Sequence, residues 1–231
     1  TIACACAGII IGSVFVSGLG LKFTQSVIDL SGGLLFPLLC LTAVSAIILG
    51  MGMTTTAVYI TVAALIVPSL IEAGILPIAA HMFAFYFGVV STITPPVALA
   101  SFAGAAIAKS PPMATAFESS KVGIAKYIVP FAFIYNPSLL MEGPKIWSLY
   151  SLISVLLAYW CMTLGLEGWF NGKLNVYKRT LALLGSVCLL IPPLQIIYGI
   201  QGFYYNAIGI LLLALIYFVQ GKLNFNLKAQ S

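Results

Sequence analysis

The sequence predicts an all-α polytopic membrane protein with a re-entrant helical hairpin and a broken transmembrane helix. Three observations predict it. The chain of 231 residues is 61% hydrophobic and 6% charged, whereas a soluble domain carries roughly 25% charged residues. Residues 50–56, Gly-Met-Gly-Met-Thr-Thr-Thr, interrupt an apolar stretch with no charge near them. Further on, a second knot, Ser91-Thr92-Ile93-Thr94-Pro95-Pro96, does the same. At membrane depth a backbone leaves the helix only where protein or a water-filled cavity satisfies its freed N–H and C=O groups. Two such breaks close in sequence point to an ion and substrate site built from broken helices.

The elements follow in order. Residues 2–20 form a first apolar segment dense in Gly, Ala and Ser. It opens inside an apolar run, without Met and without a charged leader, so the chain reads as the C-terminal part of a larger protein. Lys22 to Gly33 is polar and turn-rich. Residues 34–49 are apolar again, and as a helix they reach about 24 Å, short of the roughly 30 Å hydrocarbon core. Residues 57–71 make another short segment, ending at Glu72-Ala73-Gly74. Two short segments joined at 50–56 predict a hairpin over about 34–73 that dips into the membrane and returns. A single tilted helix over the same residues is too long for one pass.

Residues 77–108 read as one span broken at 91–96. Pro95 removes a backbone donor, and Pro96 pushes its predecessor out of the helical region. After the loop Lys109-Ser110-Pro111-Pro112, residues 113–141 read as a long helix with a further break at Tyr135-Asn136-Pro137. Three simpler spans fit 147–166, 179–197 and 204–220. The organisation expected is a first domain over 1–143 and a C-terminal extension of three helices over 144–231.

Charge supports this topology. With the hairpin entrance at the outer face, Lys109, Lys121, Lys126, Lys173, Lys178, Arg179, Lys222 and Lys228 fall on the inner side, and only Lys22 and Lys145 fall outside. Cytoplasmic loops carry the excess of Lys and Arg, and reading the hairpin as a full crossing would reverse the distribution. The basic balance is therefore a topology signal and not a nucleic-acid footprint. The five cysteines, Cys4, Cys6, Cys40, Cys161 and Cys188, lie in apolar segments without metal-ligand spacing and read as small buried hydrophobes. There is no nucleophile–base set, metal cluster or phosphate loop, so an enzyme reading has no residues to stand on.

The breaks carry the chemistry. A desolvated cation needs several oxygen ligands, and carbonyls at unwound helix ends supply them. Gly50 and Gly52 let the backbone bend and approach closely. Thr54, Thr55 and Thr56 add hydroxyls, as do Ser91, Thr92 and Thr94 at the second break. The carbonyls of Ser91 to Thr94 are expected to lose their usual partners, since Pro95 and Pro96 supply no N–H. With no Asp or Glu nearby, Na⁺ fits better than Ca²⁺ or Mg²⁺. The half-helices opening from Ala57 and from Val97 aim positive ends at the same region, which favours a carboxylate. In the alternative reading, the threonines bond back to their own helices while Gly and Pro only shape packing. A passive channel would also use broken helices, and a membrane-embedded structural or assembly subunit would tolerate Gly52→Leu or Thr94→Val without losing transport.

Other residues carry weaker signals. His81, beside Phe83, Phe85, Tyr86 and Phe87, reads as a packed, hydrogen-bonded histidine in preference to a proton relay. Lys126 is placed to snorkel, Asn136 to cap a helix or line a cavity, and Asp29 and Glu72 to sit in outer loops.

The motifs together are specific. Gly50-Met51-Gly52-Met53-Thr54-Thr55-Thr56-Ala57-Val58-Tyr59-Ile60, Ala79-Ala80-His81-Met82-Phe83-Ala84-Phe85-Tyr86-Phe87-Gly88 and Ile93-Thr94-Pro95-Pro96-Val97-Ala98-Leu99-Ala100 resemble the large membrane subunit of tripartite ATP-independent periplasmic (TRAP) transporters. Gly8-Ile9-Ile10-Ile11-Gly12, Gly18-Leu19-Gly20-Leu21-Lys22-Phe23, Val129-Pro130-Phe131 and Tyr135-Asn136-Pro137 match as well, so the resemblance covers residues 3–143. More narrowly, the chain is similar to the form in which small and large membrane subunits are fused and paired with TAXI-type binding proteins.

The resemblance implies an elevator-type secondary transporter of two inverted repeats, of which this chain carries the second. It implies Na⁺-driven import of an organic acid (a dicarboxylate, oxo acid or glutamate-like anion) delivered by a periplasmic binding protein. The other expected partners are membrane lipid, the first repeat and the fused small subunit. The setting implied is a bacterial or archaeal inner membrane, with the C-terminus cytoplasmic. Carried onto this sequence, Gly50, Gly52, Thr54, Ser91, Thr92 and Thr94 would hold Na⁺, and Thr55, Thr56, Thr94, Pro95 and Pro96 would contact substrate. One departure stands at Thr54, where the family usually has proline. The change loosens the tip and adds a hydroxyl.

Overall fold

The computed structural model describes residues 16–170, 172–193, 196–197 and 200–228, with five scattered positions before residue 16. Part of the first apolar segment, including Cys4, Cys6 and part of the Gly8–Gly12 motif, lies outside the described residues. The chain divides into two compact units, residues 1–140 and 141–231.

In the first unit, α1 (Leu19–Ser31), α2 (Leu35–Gly50), α3 (Thr55–Leu65), α4 (Val67–Glu72) and α5 (Pro77–Val90) lead to α6 (Leu99–Ala108), α7 (Pro112–Val122), α8 (Ala125–Tyr135) and a 3₁₀ turn, Pro137–Leu140. Its core lies where α2, α3 and α5 meet. Leu39, Val58, Val62, Ile66, Ala80, Phe83 and Ala84 are fully buried there. Lipid tails are as apolar as these side chains, so helices in a membrane associate through close packing at small residues. Gly88 shows this: a Cβ there would lie 2.9 Å from Val58 Cγ1. Farther along α5, Phe83 and Phe87 meet Phe131 of α8 edge-on at 5.4 and 5.8 Å, and Tyr86 meets Phe133 at 5.4 Å. The aromatic run thus fastens α8 antiparallel along α5.

Helix breaks fall at 51–54 and 91–98, where the sequence places them. Four segments differ from expectation. Lys22–Ser31 is helical, and the expected turn is confined to Gly32-Gly33. Thr24, Val27 and Ser31 are its buried residues, a helical spacing that the polar residues between them disguise. The second hairpin arm divides at Ile66, because Pro68 supplies no N–H and opens a new short helix. Residues 113–141 are two helices and a 3₁₀ turn, divided at Gly123-Ile124 and at Asn136.

The last difference lies in the second unit, α9 (Lys145–Glu167), α10 (Val176–Leu190), a two-residue β-ladder (β1, Ile196–Ile197; β2, Ile200–Gln201) and α11 (Gly202–Lys228). Here α10 stops at Leu190, short of the expected 197, because Pro192-Pro193 cannot continue a helix. Among the described residues, α9 alone is long and apolar enough to cross a membrane unaided, and α2, α3, α5 and α6 are shorter apolar helices. The turn between α9 and α10 is held by Arg179, which donates from Nε to Gly165 O at 2.9 Å and from Nη2 to Leu166 O at 2.8 Å. A cation there also complements the negative helix end.

Candidate functional site

The structure brings the two breaks into contact. Gly50 ends α2 and is buried, and a Cβ on it would fall 2.8 Å from Ser91 Cβ and 3.0 Å from Val58 Cγ1. Real Cβ atoms do not approach so closely, so only glycine admits the neighbour here. Gly52 turns the chain at φ +78°, a left-handed conformation that suits glycine. A Cβ on Gly52 would lie 3.9 Å from Val97 Cγ1, at ordinary van der Waals distance. The first break therefore packs closely against the start of the second, at Ser91.

At the first break, Thr54 is the N-cap of α3, with extended backbone at φ −71°, ψ 149°. Among the described residues its side chain makes no capping hydrogen bond, and Thr54, Thr55 and Thr56 are exposed. The backbone bonds across this turn are long, Met51 N–H to Ile48 O at 3.3 Å and Met53 N–H to Gly50 O at 3.5 Å. The second half-helices begin at Thr55 and Leu99, two residues from the expected starts in each case.

At the second break the polar groups are tied down. The Ser91, Thr92 and Thr94 hydroxyls donate to Gly88 O, Val89 O and Val90 O at 2.6, 2.7 and 2.7 Å. Two of the carbonyls expected to be orphaned have new donors, Thr92 O from Ala100 N–H at 3.0 Å and Ile93 O from Ser120 Oγ at 3.0 Å. Tyr127 Oη lies 2.6 Å from Thr94 Oγ1. Pro95-Pro96 is a cis peptide; Pro95 is half-buried and Pro96 exposed. Of the six residues expected to hold a cation, Gly50 and Ser91 lie against one another, while the Thr94 hydroxyl is engaged by Val90 O and Tyr127 Oη. Thr92 and Thr94 follow the alternative pattern in spending their protons on their own helix, yet each hydroxyl keeps acceptor capacity. No cluster of three His, Cys, Asp or Glu side chains forms among the described residues. The oxygens that these breaks offer are hydroxyls and carbonyls.

Sequence reasoning missed Ser120, Gly123 and Tyr127. Gly123 leaves room for Ile93, whose Cδ1 would lie 2.8 Å from a Cβ at that position. The only local signal was the Ser-Lys-Val-Gly run within a helical pattern. His81 is hydrogen-bonded as expected, Nδ1 to Tyr59 Oη at 3.0 Å, and its ring lies against that of Tyr59, but it is exposed and not buried. Asn136 is buried at the C-terminal cap of α8. Lys126, Asp29 and Glu72 are exposed. A cleft of ≈ 150 Å³ lined by Ser31, Gly33, Leu38 and Glu72 lies at the base of the hairpin, away from the tip.

The model of the Tripartite ATP-independent periplasmic transporter, DctM component, matches residues 1–144. The chain belongs to that family. It is the large membrane component of a TRAP transporter, an integral membrane protein of a transport family and not an enzyme family. Membership of a tripartite system implies a periplasmic binding protein as partner. No curated protein and no solved structure matches the chain.

Proposed function

We propose that this TRAP component imports an organic acid anion by Na⁺ symport, and that its two helix breaks form the shared ion and substrate site. The observation that carries the reading is the close approach of the two breaks at Gly50 and Ser91. The proposal makes 34–73 a re-entrant hairpin and 77–108 a broken span of one inverted repeat within residues 1–143, moving as an elevator, with 144–231 a C-terminal extension.

Na⁺ would be held by oxygens around Gly50, Gly52, Thr54, Ser91, Thr92 and Thr94. A weakly held monovalent ion suits a site of neutral oxygens, because full carboxylate ligation is what retains divalent ions. The substrate carboxylate would meet the N–H groups opening α3 beside Thr55 and Thr56. It would also meet the surface formed by Thr94, Pro95 and Pro96. An uncapped helix start offers unpaired donors and a positive end to an anion. The cation and anion then lower each other's cost of desolvation, which is the physical basis of coupling. Delivery by a TAXI-type binding protein, fusion to the small subunit, an inner-membrane setting and a cytoplasmic C-terminus complete the reading.

The test is uptake of labelled organic acids into proteoliposomes holding the full-length protein, with and without an inward Na⁺ gradient and with and without the cognate binding protein. Uptake that needs both is the expected result. Uptake that follows only the solute's own gradient makes the breaks the lining of a passive pore and overturns symport.

A further inference from the structure

We propose that Tyr127, assisted by Ser120, is a positioning residue that sets the Thr94 hydroxyl for ligand binding at the second break. The proposal rests on the reading that this break belongs to the ion and substrate site. Thr94 Oγ1 carries one proton and lies 2.7 Å from Val90 O and 2.6 Å from Tyr127 Oη. A carbonyl can only accept, so both bonds form together in one way. Thr94 donates to Val90, and Tyr127 donates to Thr94. One lone pair of Thr94 then remains, held in direction by two bonds, for a cation or a polar substrate group.

The support comes from a separate helix pair. Tyr127 is held in α8, which the Phe131 contacts with Phe83 and Phe87 fasten to α5. Ser120, in α7, donates to Ile93 O at 3.0 Å, one residue before Thr94. A hydrogen bond between Ser119 and Ser101 fastens α7 to α6, the helix that leaves the break. Gly123, between α7 and α8, accommodates the Ile93 side chain. Residues 119–127 thus grip Ile93 and Thr94 at three points. Two of these are hydrogen bonds to the break and the third is a cradle that a Cβ would fill.

The experiment is a double-mutant cycle in the full-length protein with its binding protein, using Tyr127→Phe, Thr94→Val and the pair. The readouts are the Na⁺ concentration for half-maximal uptake and the maximal rate at saturating Na⁺. Where a variant transports too slowly, a Na⁺ titration of the purified protein's thermal midpoint gives the same affinity, since a ligand stabilises what it binds. Removing one net hydrogen bond predicts that Tyr127→Phe raises half-saturating Na⁺ about 3- to 10-fold with little change in maximal rate. On the Thr94→Val background it should add nothing, because its effect runs through Thr94.

An unchanged half-saturation in Tyr127→Phe overturns the proposal. So does an equal, multiplicative loss on the Thr94→Val background, which marks a merely structural tyrosine. If Tyr127→Phe is recovered misfolded, Ser120→Ala carries the same test, with a shift in the same direction expected. Should wild-type uptake ignore Na⁺, the symport reading fails by itself. The cycle is then read on substrate half-saturation, where coupling supports positioning and independence overturns it.

Discussion

At the tip of the hairpin, the chain turns through Gly50–Thr54 on backbone bonds of 3.3 and 3.5 Å, with three consecutive threonines exposed. At the second break, residues 91–94 are held by three hydroxyl back-bonds of 2.6–2.7 Å, by Ala100 N–H on Thr92 O, and by Ser120 and Tyr127 from another helix pair. Both regions interrupt helices that the apolar sequence would otherwise continue, and they solve the problem of freed backbone groups differently. The second spends its own hydroxyls and its neighbours', and arrives at a formed shape. The first leaves polar groups unspent. A region short of internal partners gains most from a ligand that supplies them, so on the proposed reading the tip is the half that binding would order. On that reading, one site would combine a preformed wall with an adjustable one, and transport would draw on the response of the adjustable wall.

The comparison breaks most sharply at the contact between the two. Gly50→Ala places a methyl group against Ser91 Cβ and Val58 Cγ1, at 2.8 and 3.0 Å. Overpacking of this kind costs about 1–3 kcal/mol, and since the displacement separates the two walls, uptake should fall more than about tenfold. Ser91→Gly removes the obstructing atoms, so the pair Gly50→Ala/Ser91→Gly should recover part of the lost uptake. Recovery that fails while both proteins insert normally would show that the walls need not touch.

Gly52 tests conformation instead of space. Nothing nearer than Val97 Cγ1 at 3.9 Å opposes a Cβ, but φ is +78°. A side chain in the left-handed region costs roughly 1–2 kcal/mol, less for Asn. Gly52→Ala and Gly52→Leu should therefore lose uptake by similar factors, with Gly52→Asn closest to wild type. A graded loss from Ala to Leu would mean that the tip is packed and not merely turned. Gly88→Ala comes next. Its Cβ meets Val58 Cγ1 at 2.9 Å, on a fully buried β-branched side chain, so a stability loss of about 1–3 kcal/mol is expected. Val58→Ala in combination should restore the thermal midpoint.

The sequence was most legible where one residue determines the local backbone. Gly50, Gly52, Pro95 and Pro96 announce their breaks because a missing Cβ or a missing N–H acts at the position itself. Pro192-Pro193 offered the same signal for the end of α10, and hydropathy alone overran it. Gly123 was illegible for a different reason. It sits in a helical pattern, and its use depends on Ile93, thirty positions away in sequence, seating against it. The partners of Thr92 O and Ile93 O were equally hidden, since no local rule assigns Ala100 or Ser120 to them. The expected orphan carbonyls were thus a correct local deduction that tertiary structure partly cancelled. In the Lys22–Gly33 segment, polar residues masked a helical period that burial reveals.

The smallest effect is expected at Tyr59 and His81. Their bond of 3.0 Å links the returning hairpin arm to α5, between a half-buried Tyr59 and an exposed His81. Phe85 lies edge-on to Tyr59 at 5.7 Å, so the ring keeps its packing without the hydroxyl. Tyr59→Phe should therefore change stability by no more than about 0.5 kcal/mol, as surface substitutions away from special features usually do. Uptake should follow wild type across Na⁺ concentrations. The measurement has force because the hairpin arm and α5 are also joined at Gly88 and Val58, deep in the core. If that buried contact is what couples the arm to the break, an exposed hydrogen bond beside it is redundant. A several-fold loss of uptake in Tyr59→Phe, with the thermal midpoint unchanged, would instead place His81 on the path of a proton or an ion. It would shift the adjustable wall from the tip to the whole returning arm.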